Sequence, residues 1–240
     1  MSGPLYPNQP LVEVATEVRF EGDLNVERVC PEFQGLIRDH YPRLLVPGAQ
    51  EGVAPSLQPI RFEDADRREG VQIAVNSFSF FSREYPGHDS FLTKASENLG
   101  LFLRLLGTVR ATRIGWRYIN ALPFTRENGR LPLSRFFRDS NIFGDSLKDE
   151  FEDYSCNLTL PKDGTHLNVK LQSAESTVEP GAEVLVLDID AFAIYKPSTN
   201  MDAGAIMTVI QASHDLAYET FEGLISDNYR AFLQGKSDAS

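Results

Sequence analysis

The chain has 240 residues, 42% hydrophobic and 24% charged, with a formal net charge of -11 from 34 acidic and 23 basic side chains. That length suffices for one large core or two small ones. So strong an acidic excess repels phosphate backbones and the basic residues are not gathered to offset it, so no non-specific nucleic-acid binding is expected. The short basic clusters, Arg67-Arg68 and Arg135 with Arg138, have acidic neighbours and read as solvated surface. Cys30 and Cys156 sit in no CxxC or Cys/His pattern, which argues against a metal site of the usual spacing and leaves a disulfide between them open. Met1 to Pro10 lacks a basic and then apolar leader pattern, and no apolar run approaches the roughly 20 residues of a bilayer span. The expectation is a cytoplasmic protein with reduced thiols, no cofactor and no membrane association.

Residues 1–10 carry Pro4, Pro7 and Pro10 and are expected to be extended. LVEVATEVRF (11–20) alternates as a strand, with Val12, Val14, Val18 and Phe20 on one face and Glu13, Ala15, Glu17 and Arg19 on the other. Pro31 suits the first turn of a helix that carries Phe33, Leu36, Ile37 and Tyr41 at helical spacing. Residues 42–59, rich in proline and glycine, are expected to form a loop. The run 59–81 reads as two strands around a charged turn ending at Glu69-Gly70. A helix capped by Asp89 or Ser90 then buries Phe91, Ala95, Leu99, Phe102, Leu103 and Leu106, and Gly107 closes it.

A strand follows over 109–124, then an irregular polar stretch over 126–152 with one short helix near 133–138. Lys162-Asp163-Gly164 marks a hairpin with Leu167, Val169 and Leu171 inward, and EVLVLDIDAFAIY makes a further strand. One long helix over 203–233 ends the pattern, and 234–240 should fray. This order predicts a single α+β domain: a largely antiparallel sheet of about seven strands, covered by amphipathic helices on one face, in two halves of similar outline.

The stretch RIGWRYIN (113–120) poses the central question of the sequence, because it places two arginines on one strand face otherwise suited to a core. With a repeat of two residues, Arg113, Gly115 and Arg117 share a face with Val109, Ala111 and Ile119, while Ile114, Trp116 and Tyr118 share the other. Glu13, Glu17 and Arg19 lie together in the first strand, as do Asp188 and Asp190 in the later one. If the three strands are neighbours, four carboxylates and three arginines line one surface of the sheet. Such a surface serves as cross-strand ion pairs facing water, as an arginine clamp for a phosphate or carboxylate with a divalent cation, or as a protein-binding face. His40, His88, His166 and His214 fall in no metal-ligand spacing. His214-Asp215 is adjacent in a helix, where neighbours diverge by about 100°, so it reads as a surface or interface histidine with no proton relay. Trp116 is expected in the core.

NQPLVEVATEVRF, QIAVNSFSFF, EYPGHDSF, RIGWRYIN, LDIDAF and FEGLISDNYR, in this order, resemble a sporadically distributed family of uncharacterised prokaryotic proteins of about this length. The resemblance runs from about residue 8 to 233 and puts Glu13, Glu17, Arg113, Arg117, Asn120, Asp188 and Asp190 on motif positions. It implies a single-domain prokaryotic protein and a mobile-element context, including toxin partners and anti-phage components, but carries over no activity. The leading expectation is a non-enzymatic binding or regulatory module acting through a protein partner, as an accessory or neutralising component of a defence or toxin locus. The last helix is a candidate homodimer surface. The competing expectation is a nucleotide or polyphosphate binding protein or phosphohydrolase using the charged face. Glu17-Val18-Arg19 is faintly similar to the acidic and basic alternation of triphosphate-tunnel phosphatases, although the glutamate spacing and the arginine depart from it.

Overall fold

Alternating side chains in the first strand, β1 (Leu11–Phe20), bury Val14, Thr16, Val18 and Phe20 on one face and leave the other to charge. The computed structural model describes residues 5–46, 59–138, 151–162, 164–176, 179–196 and 199–236. After β1 come α1 (Asn25–Ile37), β2 (Arg43–Leu45), β3 (Ile60–Glu63), β4 (Glu69–Ala74), β5 (Ser77–Ser82), α2 (His88–Leu106) and β6 (Val109–Phe124). The second half holds α3 (Leu133–Phe136), β7 (Ser155–Lys162), β8 (Thr165–Glu175), β9 (Glu183–Ile194), β10 (Asn200–Met201), α4 (Ala203–Leu224) and α5 (Asp227–Leu233).

The fold is α+β, as the sequence predicts, with a larger sheet. Among the described residues, nine strands form one antiparallel path, β2-β3-β4-β5-β1-β6-β9-β8-β7, and β10 adds a short pairing to β6. Each half runs strand, excursion, antiparallel meander and helix, and in each the first strand pairs with the last strand of its meander, β1 with β5 and β6 with β9. The halves meet where β1 pairs antiparallel with β6. Hydrophobic burial drives α2 and α4 onto the face that carries Ile114, Trp116, Leu187 and Ile189, and α1 packs against α2. Phe102 of α2 sits within 5.3–6.3 Å, ring centre to centre, of Phe20, Phe33 and Phe78, tying both helices to the first half of the sheet.

Several expectations are corrected. Pro31 lies inside α1 rather than in its first turn, because the helix begins earlier, at Asn25. Arg43–Leu45 is an edge strand paired to β3, where a loop is expected; residues 47–58 lie outside the described residues. The run 59–81 forms three strands, since Val75 and Asn76 make a two-residue turn between β4 and β5. The long last helix ends at Leu224, and Ser226 caps a separate α5 by accepting from the Tyr229 amide. Ile206, Ile210, Ala217 and Phe221 of α4 are buried against the chain's own sheet. The hairpin turn residue Asp163 and residues 139–150 lie outside the described residues.

Candidate functional site

The strands that carry the charged residues are neighbours: β6 lies between β1 and β9. On the face away from the helices, Glu13, Glu17, Arg19, Arg113, Arg117 and Asp190 line a trough of about 230 Å³, with Arg61, Gln72, Ser79 and Phe81 on its first-half side. Asp188 adjoins it through Arg117. Arg113 donates from Nη1 to Glu17 at 2.8 Å and from Nη2 to both oxygens of Asp190 at 2.7 and 2.5 Å, bridging the strands on either side. Arg117 forms a two-point fork with Asp188, at 2.8 and 2.6 Å. Glu17 also accepts from Arg19 Nε at 2.7 Å, and Arg83, which follows β5, reaches Glu13 at 3.4 Å.

Gly115 explains the spacing of the two arginines. Arg113 stands opposite Ile194, and Asp190 stands opposite Arg117, so the Arg113 side chain must run along its strand past residue 115 to reach its carboxylate. A Cβ at 115 would lie 3.4 Å from Arg113 Nη1, 2.8 Å from Phe192 Cβ and 2.9 Å from the Ala191 carbonyl oxygen. The Phe192 ring covers the guanidinium at 4.2 Å, a cation–π contact that shields the pair from water. Burial pushes the Asp190 carboxyl up, against the pull of Arg113, whereas the fork to Asp188 raises Arg117 further above its ordinary value.

Two corrections concern the faces. The pairing of β1 with β6 slips by one residue at each end, leaving Val12 and Thr112 without opposite partners. The bulge at Thr112 turns Val109 and Ala111 into the core, away from Arg113, and the one at Val12 leaves that side chain exposed. Asn120 also departs from the predicted site. It shares the inner face with Trp116 and Tyr118, is 3% exposed, and donates to the Leu187 carbonyl at 3.2 Å.

A second recess opens on that inner side, where residues 5–11, the turn before α2, and α4 come together. His88 and His214 meet there with ring centres 3.9 Å apart and planes tilted by 41°, and Trp116 lies 4.9 Å from His214. Both imidazoles touch the aspartate that follows them, His88 Nδ1 to Asp89 at 2.8 Å and His214 Nδ1 to Asp215 at 3.0 Å. The sequence predicts a surface or interface histidine at 214, poorly placed to relay a proton to its neighbour; its side chain is instead 1% exposed, and the Asp215 side chain reaches back to it. The signal was a serine and a histidine, Ser213 and His214, inside an apolar helix stripe. Gly87, at φ +92°, is the backbone turn that swings His88 inward ahead of α2.

Burial, and next the neighbouring His88, push His214 down to about 4, with Asp215 opposing. A histidine that ionises less readily when folded makes the unfolded chain the better proton acceptor. Its contribution to stability is therefore complete above about pH 6.5 and declines as pH falls toward 4. Urea melts at pH 7 and pH 4.5 should show a loss in the wild type of about 2–3 kcal/mol beyond that of His214→Gln. Equal slopes for the two proteins would show that His214 protonates freely when folded.

No protein-family model matches the chain, and no curated protein matches it. What the site does is therefore argued from its geometry. Among the described residues, no group of three or more histidine, cysteine, aspartate or glutamate side chains is placed to hold a metal ion, and no helix is long and apolar enough to cross a membrane.

Proposed function

We propose that the chain is a non-enzymatic binding module whose open sheet face docks a protein partner of mixed charge. One observation carries this reading: five arginines, Arg19, Arg61, Arg83, Arg113 and Arg117, are each within salt-bridge distance of one of five carboxylates, Glu13, Glu17, Glu63, Asp188 and Asp190. A face that balances its own charge in alternating strands is complementary to a protein surface with charges of both signs. A polyphosphate would have to displace carboxylates from these guanidiniums. That weighs against the nucleotide and polyphosphate reading. The resemblance to a sporadically distributed prokaryotic family directs the search to proteins encoded alongside this one, toxins and defence components first.

Arg117, half exposed at the outer side of the face, is the residue to change. In co-purification from the native host, the wild type should retain a stoichiometric partner that salt weakens, and Arg117→Ala should cut its affinity at least tenfold. No such partner, or one held equally by the variant, would overturn the proposal. A thermal upshift that grows with tripolyphosphate and Mg²⁺ would favour the competing reading.

A further inference from the structure

The recess on the helix side has no part in the charged face, and its walls are of another kind. Its lining includes Tyr85, Tyr118, Tyr218, Asn120, His88 and His214, and no aspartate, glutamate, lysine or arginine among the described residues. The cavity is about 70 Å³, open at a mouth beside residues 5–11. An engineered cavity of about 150 Å³ encloses benzene; the enclosed part here is less than half that, so a small ring would sit with one edge inside and the rest in the open mouth. Aromatic walls with a few polar groups at fixed positions are the usual makeup of a small-molecule pocket.

The polar groups define what it would accept. A carboxylate only accepts hydrogen bonds, so Asp89 and Asp215 require Nδ1 of His88 and of His214 to be the protonated nitrogen. In the neutral rings each Nε2 then carries a lone pair. His88, with 8% of its side chain exposed, has a buried Nε2 that makes no hydrogen bond, and neither does Nε1 of Trp116, whose ring centre lies 6.1 Å from that of His88. Unpaired buried polar atoms cost stability unless something meets them. Tyr85 and Tyr118 hydroxyls lie 3.4 Å apart, with Tyr218 stacked on His214 at 6.1 Å.

We propose that this recess binds a small uncharged ring compound bearing an O–H or N–H donor, seated among the tyrosines with its donor directed to the imidazole pair. A carboxylate is disfavoured because no lysine or arginine is among the described residues of the walls, and Asp89 and Asp215 stand behind the imidazoles to repel it. A plain hydrocarbon ring leaves the imidazole lone pairs unmet.

Trp116 is the only tryptophan of the chain and lies directly behind His214, so its fluorescence reports on the pocket. Phenol is the probe, with toluene, benzoate and benzylamine as controls, each titrated to about 20 mM or, for toluene, to its lower solubility limit and compared with phenol over that range. Phenol should change Trp116 emission saturably, at least tenfold more tightly than any control. His214→Phe should weaken phenol at least tenfold. Should that variant fail to fold, Tyr218→Leu, at a half-buried position, should do the same by removing one wall. No saturable change with phenol, or toluene bound as well as phenol, or phenol affinity unchanged in a folded variant, would overturn the assignment.

Discussion

Arg113→Ala is expected to lower the unfolding free energy by about 3 kcal/mol, and Arg117→Ala by less than about 1 kcal/mol. The two arginines lie on one strand, four residues apart, and differ in what their loss leaves behind. The Arg113 side chain is 17% exposed, sits under Phe192 and holds Glu17 and Asp190 from opposite sides. Without it, Asp190 remains largely buried without its guanidinium, the costly half of a broken pair. Arg117 is 50% exposed, so water already screens its fork, and removing its side chain uncovers the 17%-exposed Asp188 beneath it. Paired urea melts check the ranking. Because burial already raises the Asp190 carboxyl, protonating it in acid removes the uncompensated charge, and the Arg113→Ala penalty should shrink as pH falls. A penalty for Arg117→Ala equal to that for Arg113→Ala would mean the two pairs share one environment.

Phe102→Ala should cost about 3–5 kcal/mol, the usual range for an aromatic lost from a tightly packed core. Phe102 is fully buried, and its ring meets one from α1, one from β1 and one from β5. Its removal opens a cavity where three elements converge, and none can close it without leaving the others. Against a typical domain stability of about 5–15 kcal/mol, that loss is a large fraction of the total and reaches unfolding at the low end of the range. Phe102→Leu should retain most of the volume and lose less. Denaturation midpoints of the two variants decide it, and a loss under about 1 kcal/mol for Phe102→Ala would show that the helix layer contributes little.

Much of the architecture was legible because burial imposes periodicity. The period of two in β1, β6 and β9 set Glu13 with Glu17, Arg113 with Arg117 and Asp188 with Asp190, and these pairs do share faces. The apolar stripe of α2 was read nearly to its ends, since Gly107 closes it. Errors fell where one residue breaks the period. The bulge at Thr112 reverses Val109 and Ala111 relative to Arg113, and no composition signal marks it. Asn120, carried by the resemblance, stands an odd number of residues from Arg113 and Arg117, which was enough to exclude it from their face.

By itself the sequence determined which side chains share a strand face, because alternation is a local property of an extended backbone. It left undetermined which strands lie side by side. The bonds from Arg113 to Glu17 and to Asp190 span 96 and 77 residues, and partners so distant are selected by packing of the whole core. Only the tertiary structure, by seating β6 between β1 and β9, turned three separate charge patterns into one trough. It likewise decided the imidazole pair, for His88 and His214 belong to different helices whose contact across Trp116 is a consequence of how both pack on the sheet.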